Sequence, residues 1–169
     1  TRWIGRPAAS LANEPMAFHE SAAWLNGLEE TLGRRGARGL ARRMGAAAFD
    51  RAVCPAGAVA AMHDPGFQSL PLERRLQAGL YGLARVLGAM TSAAITVHEE
   101  AEGIVFRSDP CPDCIGRTAQ TAACASLFGL LTAAATWIAP DSRVHVEEIA
   151  CRALGAPACE FLLHEEPDA

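Results

Sequence analysis

Residues 148–161, with the sequence EIACRALGAPACEF, decide the fold that we expect for this chain of 169 residues. A hairpin that turns about Gly155 pairs position 151 with position 159 and position 149 with position 161. Cys151 and Cys159 would then face each other across two antiparallel strands. Such a pair indicates either a disulfide or two ligands of a soft or borderline metal ion.

Cysteines are concentrated around this hairpin. Five of the six lie after residue 110, and the full set is Cys54, Cys111, Cys114, Cys124, Cys151 and Cys159. The chain does not begin with a charged segment followed by an apolar segment and a cleavage site, so we expect a cytoplasmic protein. Thiols stay reduced in the cytoplasm, where cysteine clusters are more often metal-binding or catalytic than disulfide-bonded. A metal site is therefore favoured over a disulfide.

The apolar pattern of the rest of the chain predicts helices and short strands. Apolar residues recur at helical spacing in four segments, residues 21–32, 40–52, 71–90 and 118–140. Gly33 and Gly36 should break or kink the first helix. Alternating apolar residues predict strands near residues 94–98, 103–106, 144–146 and 161–163. This order predicts an α+β fold whose helices pack on a small antiparallel sheet and enclose an apolar cavity.

The length of the chain fits one domain with a single core. We expect residues 1–20 to form an N-terminal arm, residues 21–164 a single ligand-binding domain, and residues 165–169 a tail. Residues 118–140 carry no charge and are long enough to cross a bilayer. Their alanine and threonine content lowers the gain from insertion and favours a buried core helix instead.

Charge and motifs exclude two classes of partner. A net charge of −4 and an isoelectric point near 5.7 argue against direct binding of nucleic acid. The basic run between Arg34 and Arg43 is typical of a solvated helix face. No Gly-x-Gly-x-x-Gly motif or phosphate loop occurs in the sequence, so a nicotinamide site has no support.

Cys124, Gly129 and the terminal hairpin carry a resemblance to a known family. The hairpin has a glutamate, Glu148, three residues before Cys151, and Cys159 follows after seven further residues. Over residues 70–163 this pattern resembles the 4-vinyl-reductase, or hydrocarbon-binding, domain family. The resemblance implies a fold similar to that of nitric-oxide-sensor domains and a vesicle-tethering subunit. It also implies a closed structural zinc site whose ligands are Cys124, Glu148, Cys151 and Cys159.

The motif Cys111-Pro-Asp-Cys114 lies outside that zinc pattern. The pair could replace Cys124 and Glu148 and form a four-cysteine site with Cys151 and Cys159. It could instead be redox-active, because cysteines at this spacing can stabilise a thiolate. A third alternative is that the pair has no special chemistry. The sequence leaves these three alternatives open.

The family resemblance implies binding of a small hydrophobic molecule. The cysteine loop and the many small residues favour the bacteriochlorophyll-synthesis branch, which implies a porphyrin or chlorophyllide intermediate as ligand. In that case the chain is an auxiliary or a component of an 8-vinyl reductase, with a biosynthetic enzyme as a possible partner. The first alternative is a sensory or regulatory module for an aromatic hydrocarbon, and the second is an interaction module with a filled pocket.

Two further expectations concern the ligand site and the assembly. His98 and His145 lie on predicted strands, where either imidazole could face a cavity and bind a ligand, although a satisfied sheet histidine is more common. The alanine-rich helix predicted from Thr118 could exceed what one small core covers, which makes a homodimer possible. The family name implies reductase activity, but the sequence contains no cofactor motif to support it.

Overall fold

The computed structural model describes residues 18–91 and 93–165, with side chains from residue 23 onward. Its longer elements are the helices α1 (Phe18–Ala48), α4 (Leu72–Thr91) and α5 (Ala125–Ile138) and the strands β1 (Ala94–Glu100), β2 (Gly103–Asp109), β3 (Val144–Ala150) and β4 (Cys159–Glu165). A π-helical turn (Phe49–Val53) follows α1, and the short helices α2 (Gly57–Ala60) and α3 (Pro65–Gln68) precede α4. Short 3-10 helices span Ala61–His63 and Arg152–Leu154.

The sheet has four antiparallel strands in the order β1-β2-β4-β3. Helix α4 packs against β1 and β2, and α5 packs against β3. The buried side chains of α4 include Leu76, Leu80, Leu83 and Leu87, whose spacing of three or four residues places them on one face. The α+β class expected from the sequence, with helices on a small antiparallel sheet, is confirmed.

Helix α1 is longer than predicted. It begins at Phe18, so the last residues of the predicted N-terminal arm are helical, and Gly33 interrupts it with a φ of 67°. The helix continues through Gly36 without the second predicted break. Residues 1–17 of the arm and 166–169 of the tail lie outside the described residues, and Glu165 ends β4. The division into arm, domain and tail stays a prediction.

The terminal hairpin differs from the predicted pairing by one residue. Phe161 pairs with Glu148 rather than with Ile149, because the register shifts between Glu148 and Ala150. Such a bulge opposes two residues of one strand to a single residue of the other. Strand β3 ends before Cys151, while Cys159 pairs with Ser108 of β2. The ladder therefore stops one residue short of the predicted Cys151–Cys159 pair, although Ala150 and Glu160 pair in the register that this prediction requires.

Helix α5 is shorter than the segment that predicted it. It begins at Ala125, seven residues after Thr118, and its 14 residues extend for about 21 Å. Across the described residues, no helix combines the length and the apolar character needed to span a membrane. Leu127, Leu131 and Ile138 are buried residues of α5 that belong to the main core.

Helices α1 and α5 touch through their backbones. A Cβ atom added at Gly129 would lie 2.0 Å from the carbonyl oxygen of Arg42, and one added at Gly45 would lie 1.8 Å from that of Ser126. Only a residue without a Cβ permits such an approach. This contact holds the N-terminal end of α5 against α1.

We expect Gly129→Ala to lower the free energy of unfolding by about 3 kcal/mol, because the new methyl group collides with backbone that cannot rotate away. Gly27→Ala is the matched control, since a Cβ at Gly27 meets nothing within 4 Å and the residue lies in α1. That change should raise stability by about 0.5–1 kcal/mol through helix propensity. Chemical denaturation measures both, and equal effects of the two substitutions would contradict the close helix contact.

Candidate metal centre

Five thiols meet in one buried cluster. These residues, called the cysteine cluster below, are Cys111, Cys114, Cys124, Cys151 and Cys159, and each is at most 3 % exposed. None of the six cysteines forms a disulfide, and Cys54 is half-buried outside the cluster. The sequence predicted a metal site here but did not predict that all five would meet.

These thiols lie at or near the ends of several strands and of helix α5. Cys111 and Cys114 lie in the loop that follows β2, and Cys124 immediately precedes α5. Cys151 follows β3, and Cys159 begins β4. The cluster therefore joins one end of the sheet to the N-terminal end of α5.

Cys124 is the centre of the cluster. Its Sγ atom lies 3.2 Å from the Sγ atoms of Cys114 and Cys159. It lies 3.5 Å from that of Cys111 and 3.8 Å from that of Cys151. Four thiolates around a tetrahedral zinc ion, at about 2.3 Å from the metal, are separated by about 3.8 Å. The thiols are thus close to the spacing that a zinc–thiolate site requires.

The potential ligands form two groups that share Cys124. The ligand atoms of one group lie within 4.8 Å of one another, and its members are Cys111, Cys114, Cys124 and Cys159. The ligand atoms of the other group meet the same limit, and its members are Cys124, Glu148 and Cys151. The sequence suggested two four-ligand sets, and each contained both Cys151 and Cys159. Neither of the two observed groups contains both of these cysteines, so neither group matches a predicted set.

Glu148 points toward the cluster, whereas its neighbour Glu147 is exposed. The Oε1 atom of Glu148 lies 3.3 Å from the backbone nitrogen of Cys124, which donates to it. The two carboxylates differ because successive side chains of a strand point to opposite faces. Glu148 as a metal ligand stays a prediction, and its carboxylate lies where that role requires it.

Hydrogen bonds within the cluster stabilise the thiolates of Cys114 and Cys159 and raise the pKa of Cys111 and Cys124. Hydrogen bonds with Cys111 and Cys114 help to hold the pKa of Cys159 well below its usual range, and the backbone nitrogen of Arg152 donates to its Sγ atom at 3.2 Å. Hydrogen bonds from Cys111 and Cys124 lower the pKa of Cys114 to about 7. Burial raises the pKa of Cys151 to about 12. Metal binding to all of these thiols requires their deprotonation.

Asp113, between the two cysteines of the loop, caps α5. Its carboxylate is 1 % exposed and accepts hydrogen bonds from the backbone nitrogens of Ser126, at 2.8 Å, and Leu127, at 3.3 Å. The Ser126 hydroxyl also donates to it. Burial raises the pKa of Asp113 to about 6, and these hydrogen bonds oppose the rise. This cap explains why α5 begins at Ala125 rather than at Thr118.

Asp113 is the residue whose role sequence reasoning missed. The sequence alone does not distinguish a solvated from a functional aspartate at this position. Arg117 forms an ion pair with Glu29 of α1 at 2.5 Å and donates to the carbonyl oxygen of Asp113 at 2.9 Å. An aspartate inside a Cys-x-x-Cys motif was the available signal, but its partners follow 13 and 14 residues later.

The two histidines that we predicted as ligand-binding residues lie away from the cluster. His98 is exposed on β1 and its Nε2 atom lies 3.0 Å from the hydroxyl of Thr96. His145 is exposed on β3, with its ring 5.2 Å from that of His164. Their ligand role stays a prediction.

A surface cleft lies beside the cysteine cluster. Its volume is about 590 Å³, and it is lined by α1 and residues 117–125 rather than by the helix and sheet faces that we expected to enclose a cavity. Four arginines line it, namely Arg34, Arg35, Arg38 and Arg117. Ala123 also lines the cleft, and its backbone nitrogen contacts the Sγ atom of Cys151 at 3.5 Å. One backbone segment therefore separates the cleft from the cluster.

Comparison with known proteins gives a fold but no family. No protein-family model matches the chain, and no curated protein matches it. Among solved structures, it is similar to the phenol-responsive sensory domain of the transcription activator PoxR, whose crystal structure was determined with phenol. The TM-score is 0.64 and the identity 19 %, with 90 % of this chain and 76 % of that chain covered. The similarity shows a shared fold and provides no support for the bacteriochlorophyll branch.

Asp113→Ala should lower the free energy of unfolding by about 2 kcal/mol, because it leaves buried backbone donors of α5 without an acceptor. Asp50→Ala removes an exposed carboxylate and should change stability by less than about 0.5 kcal/mol. Urea denaturation of both variants tests the cap. A loss for Asp113→Ala no greater than that for Asp50→Ala would rule it out.

Proposed function

We propose that this chain is a sensory or regulatory module that binds a small aromatic hydrocarbon and is stabilised by zinc in its cysteine cluster. The observation that carries the proposal is the fold shared over 90 % of the chain with a domain whose structure was determined with phenol. Folds host many functions, so the site must supply the remaining argument.

The cysteine cluster fits a structural zinc ion. Its thiols are buried, lie near zinc–thiolate spacing and come from separate elements. Bound zinc would neutralise thiolate charge and cross-link these elements. Cys124 would be the central ligand, because it contacts the other four thiols. The remaining ligands belong to the two groups described above.

The arginine-lined cleft is our candidate for the aromatic ligand. Its volume of about 590 Å³ falls in the range of about 300–1,000 Å³ that small-molecule pockets occupy. Guanidinium groups stack on aromatic faces and donate hydrogen bonds to oxygen substituents. The partly exposed Ala119, Ala122 and Ala123 supply apolar surface. In this cleft the ring of a phenol could therefore stack on a guanidinium group while its hydroxyl accepts a hydrogen bond.

The tetrapyrrole interpretation has weaker support. The sensory domain favours an aromatic hydrocarbon, and the comparisons do not support a porphyrin ligand, a homodimer or a biosynthetic enzyme partner. These three remain predictions from the sequence. A porphyrin is accordingly the competing ligand in the binding experiment.

We expect phenol to bind the purified chain in calorimetric titrations, and Arg38→Ala to weaken binding at least about fivefold, since it removes about 1 kcal/mol of stacking and hydrogen bonding. Arg85→Ala is the control, because Arg85 is exposed on α4 and does not line the cleft. Binding of protochlorophyllide without binding of phenol would support the tetrapyrrole interpretation and contradict the sensor.

Removal of the central ligand, Cys124, tests whether zinc stabilises the fold. We expect Cys124→Ser to lose bound zinc and about 3 kcal/mol or more of stability, a fall in Tm of about 6–12 °C. Cys54→Ser should retain both, since Cys54 lies outside the cluster. Elemental analysis and thermal unfolding give the two readouts. Chelation of wild-type protein should lower Tm in the same way, and an unchanged Tm after complete metal removal would refute a structural role.

A further inference from the structure

The cysteine cluster contains more potential ligands than one tetrahedral ion uses. Five thiols and one carboxylate compete for four positions, and they fall into two groups that share Cys124. We infer that the cluster binds two divalent ions of the zinc class, with the Cys124 thiolate as the bridge between them. The inference rests on the proposed function only in requiring that the cluster binds metal.

The first ion has a complete set of protein ligands. The four thiols of Cys111, Cys114, Cys124 and Cys159 are at most 2 % exposed and lie within 4.8 Å of one another. Cys124 contacts the other three at 3.2–3.5 Å, and Cys114 lies 3.6 Å from Cys159. Four thiolates and no open position make this a closed structural site.

The second ion would take Cys124, Glu148 and Cys151. The Sγ atoms of Cys124 and Cys151 are 3.8 Å apart, which is about the separation of two thiolates on one zinc ion. The Glu148 carboxylate faces the same end of α5, where it accepts from the backbone nitrogen of Cys124. Three protein ligands leave one coordination position open, and a water molecule or another oxygen donor can fill it.

Charge favours a second ion. Fully deprotonated, the five thiolates and the carboxylate are six anionic groups in a largely buried site. One divalent ion offsets two of those charges, and two ions offset four. Because uncompensated buried charge is costly, the second ion allows Cys151 and Glu148 to be anionic together.

The position of the second group also distinguishes it from the first. Cys151 accepts from the backbone nitrogen of Ala123, and Ala123 lines the arginine-lined cleft. Glu148 is half-buried, whereas all four ligands of the first group are buried. The second ion would therefore lie on the side of the cluster next to the cleft, where an exchangeable fourth ligand could reach it.

Metal stoichiometry tests the inference on the full chain, purified under reducing conditions, stripped with a chelator and refilled with zinc or with ¹¹³Cd. We expect two ions per chain by elemental analysis and two ¹¹³Cd resonances that split each other through the shared sulfur. The double variant Glu148→Gln/Cys151→Ser should retain one ion and one unsplit resonance. Glu147→Gln/Cys54→Ser changes the same residue types outside the site and should retain two ions.

The outcomes distinguish failure of the second ion from failure of metal binding as a whole. One ion per chain in the wild type, unchanged in the Glu148→Gln/Cys151→Ser variant, overturns the second ion and leaves the proposed structural zinc ion unaffected. Two ions in that variant would place the second ion elsewhere and also overturn the inference. No bound metal in the wild type would refute both the structural zinc ion and the second ion. Far-UV circular dichroism of each variant verifies that a lost ion does not reflect an unfolded chain.

Discussion

The contact of Cys124 with four other thiols is the constraint on which the rest of the structure depends. It brings the loop after β2, the start of α5, the end of β3 and the start of β4 to one point. Thiolates repel one another at such distances, and metal binding would turn this repulsion into a cross-link. The rest of the fold can be understood as what holds these four chain segments in place.

Asp113 and two glycines supply most of that support. The loop that contributes Cys111 and Cys114 also caps α5 through Asp113, so delivery of two thiols and the start of the helix are coupled. Gly45 and Gly129 let α1 approach α5 at backbone distance, which holds the capped end of α5 in place from the other side. A change to either support should move Cys124 relative to the other thiols.

The arrangement relates the candidate ligand cleft to the metal centre. Residues 117–123 form one wall of the cleft and lead directly to Cys124, and Arg117 ties this segment to Glu29 of α1. A ligand that orders these residues would act directly on the backbone that positions Cys124. Such a connection would suit the proposed sensory role, in which ligand binding must alter a structured element.

The sequence by itself determined the elements and the chemistry that they carry. The helix over Leu72–Thr91 and the first hairpin follow from apolar periods within a few neighbouring residues, and the predicted and observed ranges agree closely. The concentration of cysteines, with Glu148 beside them, indicated a metal site from residue types alone. These features depend on contacts between residues close in the chain, which local patterns record.

Only the tertiary structure decided how these parts combine. The start of α5 depends on an aspartate 12 residues before Ala125, and the hairpin register depends on a bulge that the alternation of side chains does not reveal. The grouping of Cys151 with Glu148, and of Cys159 with the Cys-x-x-Cys pair, depends on where four chain segments meet. The arginine-lined cleft likewise exists only because α1 lies beside residues 117–125. The physical reason is common to all four, since each depends on contacts between groups far apart in the chain, and no local pattern of residues specifies those contacts.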